Sequence, residues 1–148
     1  METNTKPNIK QAVPFFRVSD MEASLKFYTE GLSFTMLNQW VPNGKIEWCW
    51  LDRDGVALML QESREDIHAK GKPGVGVSIC FTCDDALAIY QEVMAKGINP
   101  QEPFVGNHMW VVIIDDPDGY KLDFESATDV PEETTYTDWV KQRDKFTE

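Results

Sequence analysis

Hydrophobic and polar positions along the chain fall into two successive blocks of the same kind. In the first, residues 11–18 read as a strand, with Pro14 suited to an edge or a bulge. Ser19 and Asp20 offer helix N-caps, Glu22 adds a first-turn acid, and Met21, Leu25, Tyr28 and Leu32 form an apolar stripe with Gly31 as its stop. Three strands are predicted next, at 34–41, 45–51 and 56–60. Turn formers separate them, Pro42-Asn43-Gly44 and Asp52-Arg53-Asp54-Gly55. The order is β-α-β-β-β.

Residues 61–74 carry charges of mixed sign among Gln, Ser, Gly and Pro, with no apolar period, and read as a linker. The pattern then restarts. A strand is predicted at 75–83, then a helix capped by Asp84-Asp85 with Leu87, Tyr90, Val93 and Met94 as its stripe and Gly97 as its end. Strands at 101–105 (weak), 108–114 and 120–125 follow, the last two joined by Asp116-Pro117-Asp118-Gly119. The repeat shows in residues too, because Asp54-Gly55-Val56-Ala57-Leu58-Met59-Leu60 aligns with Asp118-Gly119-Tyr120-Lys121-Leu122-Asp123-Phe124. Two tandem βαβββ modules imply an internal pseudo-two-fold and an α+β fold whose curved mixed sheet surrounds a cleft. The expected organisation is a single domain over 1–148, with modules at 10–60 and 75–126, the linker at 61–74 and a tail at 127–148. In that tail a short helix docks through Trp139, Val140 and Phe146.

A chain of 148 residues, 42% hydrophobic and 26% charged, buries enough surface to fold as one ordinary domain. Its formal charge of -11 repels phosphate backbones and anionic lipid, so neither nucleic acid nor a membrane is an expected partner. The longest apolar run, 109–114, is too short to span a bilayer, and the first six residues lack a secretory pattern. The expectation is a cytoplasmic protein. Cys49, Cys80 and Cys83 form an odd set, expected to be reduced thiols. Cys80 and Cys83 have Cys-x-x-Cys spacing, but they sit on a predicted strand, where residues three apart point to opposite faces, so they read as buried or half-buried small side chains.

The stretches Phe16-Arg17-Val18-Ser19-Asp20, Ser24-Leu25-Lys26-Phe27-Tyr28 with Gly31-Leu32, and Asp115-Asp116-Pro117-Asp118-Gly119-Tyr120-Lys121-Leu122-Asp123-Phe124 are similar to those of vicinal oxygen chelate proteins. That group holds glyoxalases, bleomycin resistance proteins, extradiol dioxygenases and fosfomycin-resistance transferases, and the similarity covers about residues 10–126. Glyoxalase-like members bind a metal through two His and two Glu, one from each of four strands. The resemblance places those positions on Val13, Met59, Ser78 and Asp123. Asp123 alone keeps a hard-metal ligand, so the resemblance implies no metal centre, and no cofactor is expected.

Strand parity populates the cleft, since residues two apart share a face. If the connection at 52–55 is a two- or four-residue loop, Met59 shares its face with Trp48 and Trp50. The same rule across the 116–119 turn puts Asp123 with His108 and Trp110; a three- or five-residue loop reverses either assignment. Phe15 and Arg17 share the parity of Val13, and Cys80 that of Ser78. The expected lining is Phe15, Trp48, Trp50, Met59, Ser78, His108, Trp110 and Asp123. Aromatic walls with a few polar groups suit a planar or cationic ligand. His108 reads more simply as a half-exposed strand residue, and His68 as a solvated one. No nucleophile motif is present, and no catalytic residue is expected. The resemblance to bleomycin resistance proteins implies a metal-free homodimer that sequesters a cationic or aromatic small molecule. The alternatives are a glyoxalase- or dioxygenase-type enzyme with a displaced metal site that includes Asp123 and His108, and a paired-module scaffold without a small-molecule role.

Overall fold

A computed structural model describes residues 6–145. The first block forms β1 (Phe15–Val18), α1 (Met21–Leu25), a π-helical extension (Lys26–Gly31), β2 (Thr35–Trp40), β3 (Trp48–Arg53) and β4 (Val56–Glu62). The second forms β5 (Ser78–Thr82), α2 (Ala86–Ala95), β6 (Phe104–Gly106), β7 (Met109–Asp115) and β8 (Lys121–Ala127), and α3 (Tyr136–Lys145) closes the chain. Each block makes its own four-stranded mixed sheet, in the orders β1-β4-β3-β2 and β5-β8-β7-β6. In each, the first strand runs parallel to the last and the remaining pairs are antiparallel. The class is α+β.

Several elements differ in extent from the sequence reading, for local reasons. The strand expected over 11–18 begins at Phe15, because Pro14 has no N–H to offer the ladder. Its carbonyl still accepts from Met59 N at 2.8 Å. The strand expected over 75–83 begins at Ser78, since Gly74 and Gly76 take positive φ (73° and 85°). Pro100 and Pro103 push the weak strand down to Phe104–Gly106. Asn107 and His108 both lie in the left-handed region, at φ 52° and 62°, between the paired Gly106 and Met109. They form the tight β6–β7 hairpin turn, so His108 is not a strand residue.

The first helix is capped by Asp20, whose carboxylate accepts from Ala23 N at 3.2 Å. It then widens, and Leu32 N donates to Phe27 O at 3.0 Å, a bond five residues long. Gly31 serves close approach: a Cβ there would lie 2.6 Å from Ile98 Cδ1, while the left-handed turn falls on Ser33 (φ 60°). Asp85 caps α2 at Ala88 N (3.1 Å), and Gly97 (φ 82°) ends it, with Ile98 N returning to Val93 O at 3.0 Å. The tail helix docks Tyr136 and Trp139 against Trp110, at ring-centroid distances of 6.4 and 5.4 Å. Phe146 lies outside the described residues.

Alternate positions of β1, β3, β4, β5, β7 and β8 face the helices and make the core: Phe16 and Val18, Cys49 and Leu51, Leu58 and Leu60, Phe81, Val112 and Ile114, Leu122 and Phe124. The modules join through the turn before β8. Asp116, 5% exposed, accepts the Tyr28 hydroxyl at 2.8 Å through one oxygen and the N–H groups of Asp118 and Tyr120, both at 2.9 Å, through the other. Asp118 accepts Ser19 N at 3.0 Å, Ser19 Oγ at 2.6 Å and His68 Nε2 at 2.8 Å. Tyr120 stacks on Phe16 at 4.4 Å and donates its hydroxyl to Arg17 O at 2.8 Å. His68 is therefore paired rather than merely solvated; its sequence neighbours carried no sign of a partner fifty positions away.

Tyr28→Phe should cost about 1–3 kcal/mol in urea unfolding, because it leaves a buried carboxylate oxygen without its hydroxyl donor. Burial pushes the Asp118 carboxyl up, but the hydrogen bonds from Ser19 and His68 outweigh it and hold the group below the usual carboxylate range. Stability from a carboxyl held low is full above its unfolded value, about 3.9, and is lost as pH falls through the lower folded one. Asp118→Asn should be less stable than the parent at neutral pH, and the gap in urea midpoint should close below about pH 4.

Candidate functional site

The faces turned away from the helices carry the candidate site. On the first sheet the register puts Phe15, Met59 and Trp50 in one row and Arg17, Gln61 and Trp48 in the next. This follows from the β3–β4 turn, where Asp54 and Gly55 (φ 53° and 83°) form a two-residue loop between the paired Arg53 and Val56. Trp40 lies across from Trp48 and is 51% exposed, and Phe15 is 44% exposed. The face is an open aromatic wall. A cavity of about 690 Å³ at its edge is lined by Phe15, Arg17, Tyr120 and linker residues including Ile67 and Lys70.

The corresponding face of the second sheet is polar. Cys80, Asp123 and Ile113 share one row, Ser78, Lys121 and Asp115 the next on one side, and Thr82, Glu125 and Val111 the next on the other. Asp123 Oδ1 is buried and accepts no hydrogen bond among the described residues. Such an oxygen lacks the donor that a buried carboxylate ordinarily has. Cys80 is exposed here, not buried or half-buried as its sequence suggested, while Cys83 points elsewhere and its Sγ lies 3.5 Å from Phe81 O. Burial and the neighbouring Glu125 and Asp123 carboxylates push the Cys80 thiol up to about 11.

Two of the expected lining residues are displaced. Asp115 pairs with Lys121, so the β7–β8 connection spans five residues, 116–120, and the parity across it is reversed. Trp110 consequently faces the helices, 5% exposed, paired with buried Ser126 and packed on Trp139. His108 sits on the β6–β7 turn, with its backbone N–H bonded to Glu132 and its ring 3.6 Å from the same carboxylate. Neither shares a face with Asp123. The odd connection length was the missing datum, because Asp116 builds the turn from within by bonding Asp118 N and Tyr120 N. Phe15, Trp48, Trp50 and Met59 come together on the first sheet, and Ser78 and Asp123 on the second.

The four positions that the family resemblance assigns to a metal hold a hydrocarbon (Val13), a thioether (Met59), a hydroxyl (Ser78) and one carboxylate (Asp123). That donor set does not fit a hard divalent ion, which needs three or four oxygen or nitrogen ligands converging on one point. Ser78 is moreover paired in register with a cationic residue, Lys121.

A family model matches residues 9–124. The chain belongs to the Glyoxalase/Bleomycin resistance protein/Dioxygenase superfamily. Within the curated proteins, the uncharacterized protein YurT of Bacillus subtilis (strain 168) is 29% identical over 124 residues, which span 75% of this chain and 94% of that protein. Among solved structures, UcmS2 matches with a TM-score of 0.66 and 19% identity over 80% of this chain and all of that one. TnmS3, an antibiotic binding protein from Streptomyces sp. CB03234, matches with a TM-score of 0.63 and 22% identity over 82% of this chain and all of that one. At these identities the structures establish the superfamily fold, in which paired βαβββ modules present their open sheet faces.

The raised thiol gives a direct check on the polar face. Iodoacetamide should label Cys80 slowly at neutral pH and faster as pH rises toward about 11. Glu125→Gln, which removes one neighbouring charge, should accelerate labelling at pH 8, as read by intact mass on a background lacking Cys83.

Proposed function

We propose that the protein is a metal-free small-molecule binder that sequesters a cationic or aromatic compound. The observation that carries this reading is the buried, unpartnered Asp123 Oδ1, a carboxylate oxygen without a donor on an open sheet face. A ligand ammonium or amide N–H would satisfy it, and the rings of Phe15, Trp48 and Trp50 with the Met59 thioether offer a flat wall for the rest of the molecule. Ser78 adds a hydroxyl beside the Asp123 row. The charge of -11 raises the encounter rate of a cation at low salt. That TnmS3 binds an antibiotic on the same fold favours a small-molecule ligand.

The binding unit in this reading is a homodimer. The aromatic wall and the acidic face lie on different sheets, joined through their helix sides, and exposed Leu37 (62%) and Trp40 (51%) extend the apolar face of the first sheet. A second copy that laid its acidic face over this wall would cover them and bring Asp123 to the tryptophans. Among the described residues, no helix is long and apolar enough to cross a membrane.

The test is a tryptophan-fluorescence titration of chelator-treated protein with a bleomycin-class cationic glycopeptide, with light scattering on the same samples. Saturable quenching at one ligand per protomer of a dimer is expected. Trp50→Ala should weaken it about tenfold, the scale of one lost stacking contact, and Asp123→Asn should weaken it and flatten its salt dependence. A flat titration rejects that drug class, and binding that requires added metal rejects the metal-free reading.

A further inference from the structure

The pseudo-two-fold relates two seams between the modules, and they are filled differently. In the first, Tyr120, the residue after Gly119, lays its ring on Phe16. The aligned pairs Phe15 with Met59 and Cys80 with Asp123 put Phe81 at the counterpart of Phe16, and Val56, the residue after Gly55, at the counterpart of Tyr120. Val56 has no ring to insert and is 48% exposed. A cavity of about 480 Å³ lies there instead, with Phe34, Phe81 and Phe124 as its floor and Thr82, Cys83 and Ala88 on its walls. This volume lies within the range of small-molecule sites.

The charges differ as well. In the first seam, Asp118 is tied to Ser19 by two hydrogen bonds. Its counterpart Asp54 has a 90% exposed side chain, 3.7 Å from Arg53 Nε, and the residue aligned with Ser19 is another acid, Asp84. Asp54 and Asp84 both line the cavity. Arg53 also lines the cavity, beside Asp54, and donates to Leu32 O at 2.7 Å and to Glu92 at 3.0 Å, so this one cation faces four lining carboxylates, Asp54, Asp84, Asp85 and Glu92. An apolar floor of phenylalanine rings thus meets a rim of surplus negative charge.

We propose that this cavity is a second ligand site, separate from the open sheet faces, which takes a single aromatic ring on a short cationic chain, an arylalkylamine. The ring occupies the place that Tyr120 fills in the other seam, on the phenylalanine floor, and the ammonium lies between Asp54 and Asp84. No tryptophan lines the cavity, so occupancy leaves the fluorescence of the proposed aromatic wall unchanged and the two sites can be read apart.

The experiment follows backbone amide shifts of the full chain during titration with tyramine, with phenylacetate as the ring of opposite charge. Saturable shifts centred on Thr82, Cys83 and Ala88 are expected, with phenylacetate at least about tenfold weaker. Val56→Tyr supplies the missing ring from the strand, and Ala88→Phe fills the space from the helix; both positions have exposed side chains, and each variant should weaken tyramine about tenfold or more while keeping the parent spectrum elsewhere. Trp50→Ala should leave tyramine binding unchanged. The proposal is overturned if no saturable shift occurs, if the shifts map to Trp48 and Trp50, if phenylacetate binds equally well, or if both filled variants bind like the parent.

Discussion

The fold depends on a pair of carboxylates that never reach bulk solvent. Asp116 organises its own turn from inside and takes the Tyr28 hydroxyl from the other module, while Asp118 takes two bonds from Ser19 at the helix entrance and one from the linker histidine. A single turn thereby fixes the five-residue connection, the relation of one module to the other and the path of the linker. Burying two acids side by side is unfavourable unless each oxygen is satisfied, and here every one of the four oxygens accepts at least one bond. The cost of burying the two acids is therefore offset by donors drawn from both modules and from the linker.

The opposite seam is held by a looser set of charges, with Arg53, Glu92, Ser33 and Lys96 linked at its surface. The difference traces to a few positions in a duplicated pattern, Tyr120 against Val56 and Ser19 against Asp84. Duplication gives two seams of similar backbone, and substitution then fills one and leaves the other hollow. The outward sheet faces diverged in the same way, one aromatic and one acidic, so a structure with repeated architecture presents three chemically distinct open surfaces, two sheet faces and one seam.

The paired βαβββ pattern was legible because strand alternation, the Asp20 and Asp85 caps and the Asp-Gly turns are local signals, and each repeats. The aromatic row was legible on the condition that the 52–55 connection be an even loop, and the Asp54-Gly55 turn, two residues long, meets it. The second sheet was misread at Trp110 because the length of the Asp116 to Tyr120 connection depends on bonds inside it, not on its turn-forming composition, and at His108 because that residue forms the β6–β7 turn with Asn107. The His68 to Asp118 pair was beyond reach, for a residue in an aperiodic linker gives no indication of which distant acid it will meet. The hollow seam lay in plain view as Val56 aligned with Tyr120, but an alignment acquires that meaning once Tyr120 is known to stack across modules.

The linker is fastened at both margins of the same turn. His68 bonds Asp118, and Lys72 passes over Gly119 toward Asp115, 3.5 Å from its carboxylate. Paired-module chains can exchange modules between two copies, with the linker as hinge. Here the hinge is tied to the very turn that would have to leave, so exchange requires the release of both linker contacts together with the Tyr28 and Ser19 bonds. The linker thus acts as a memory of which chain a module came from.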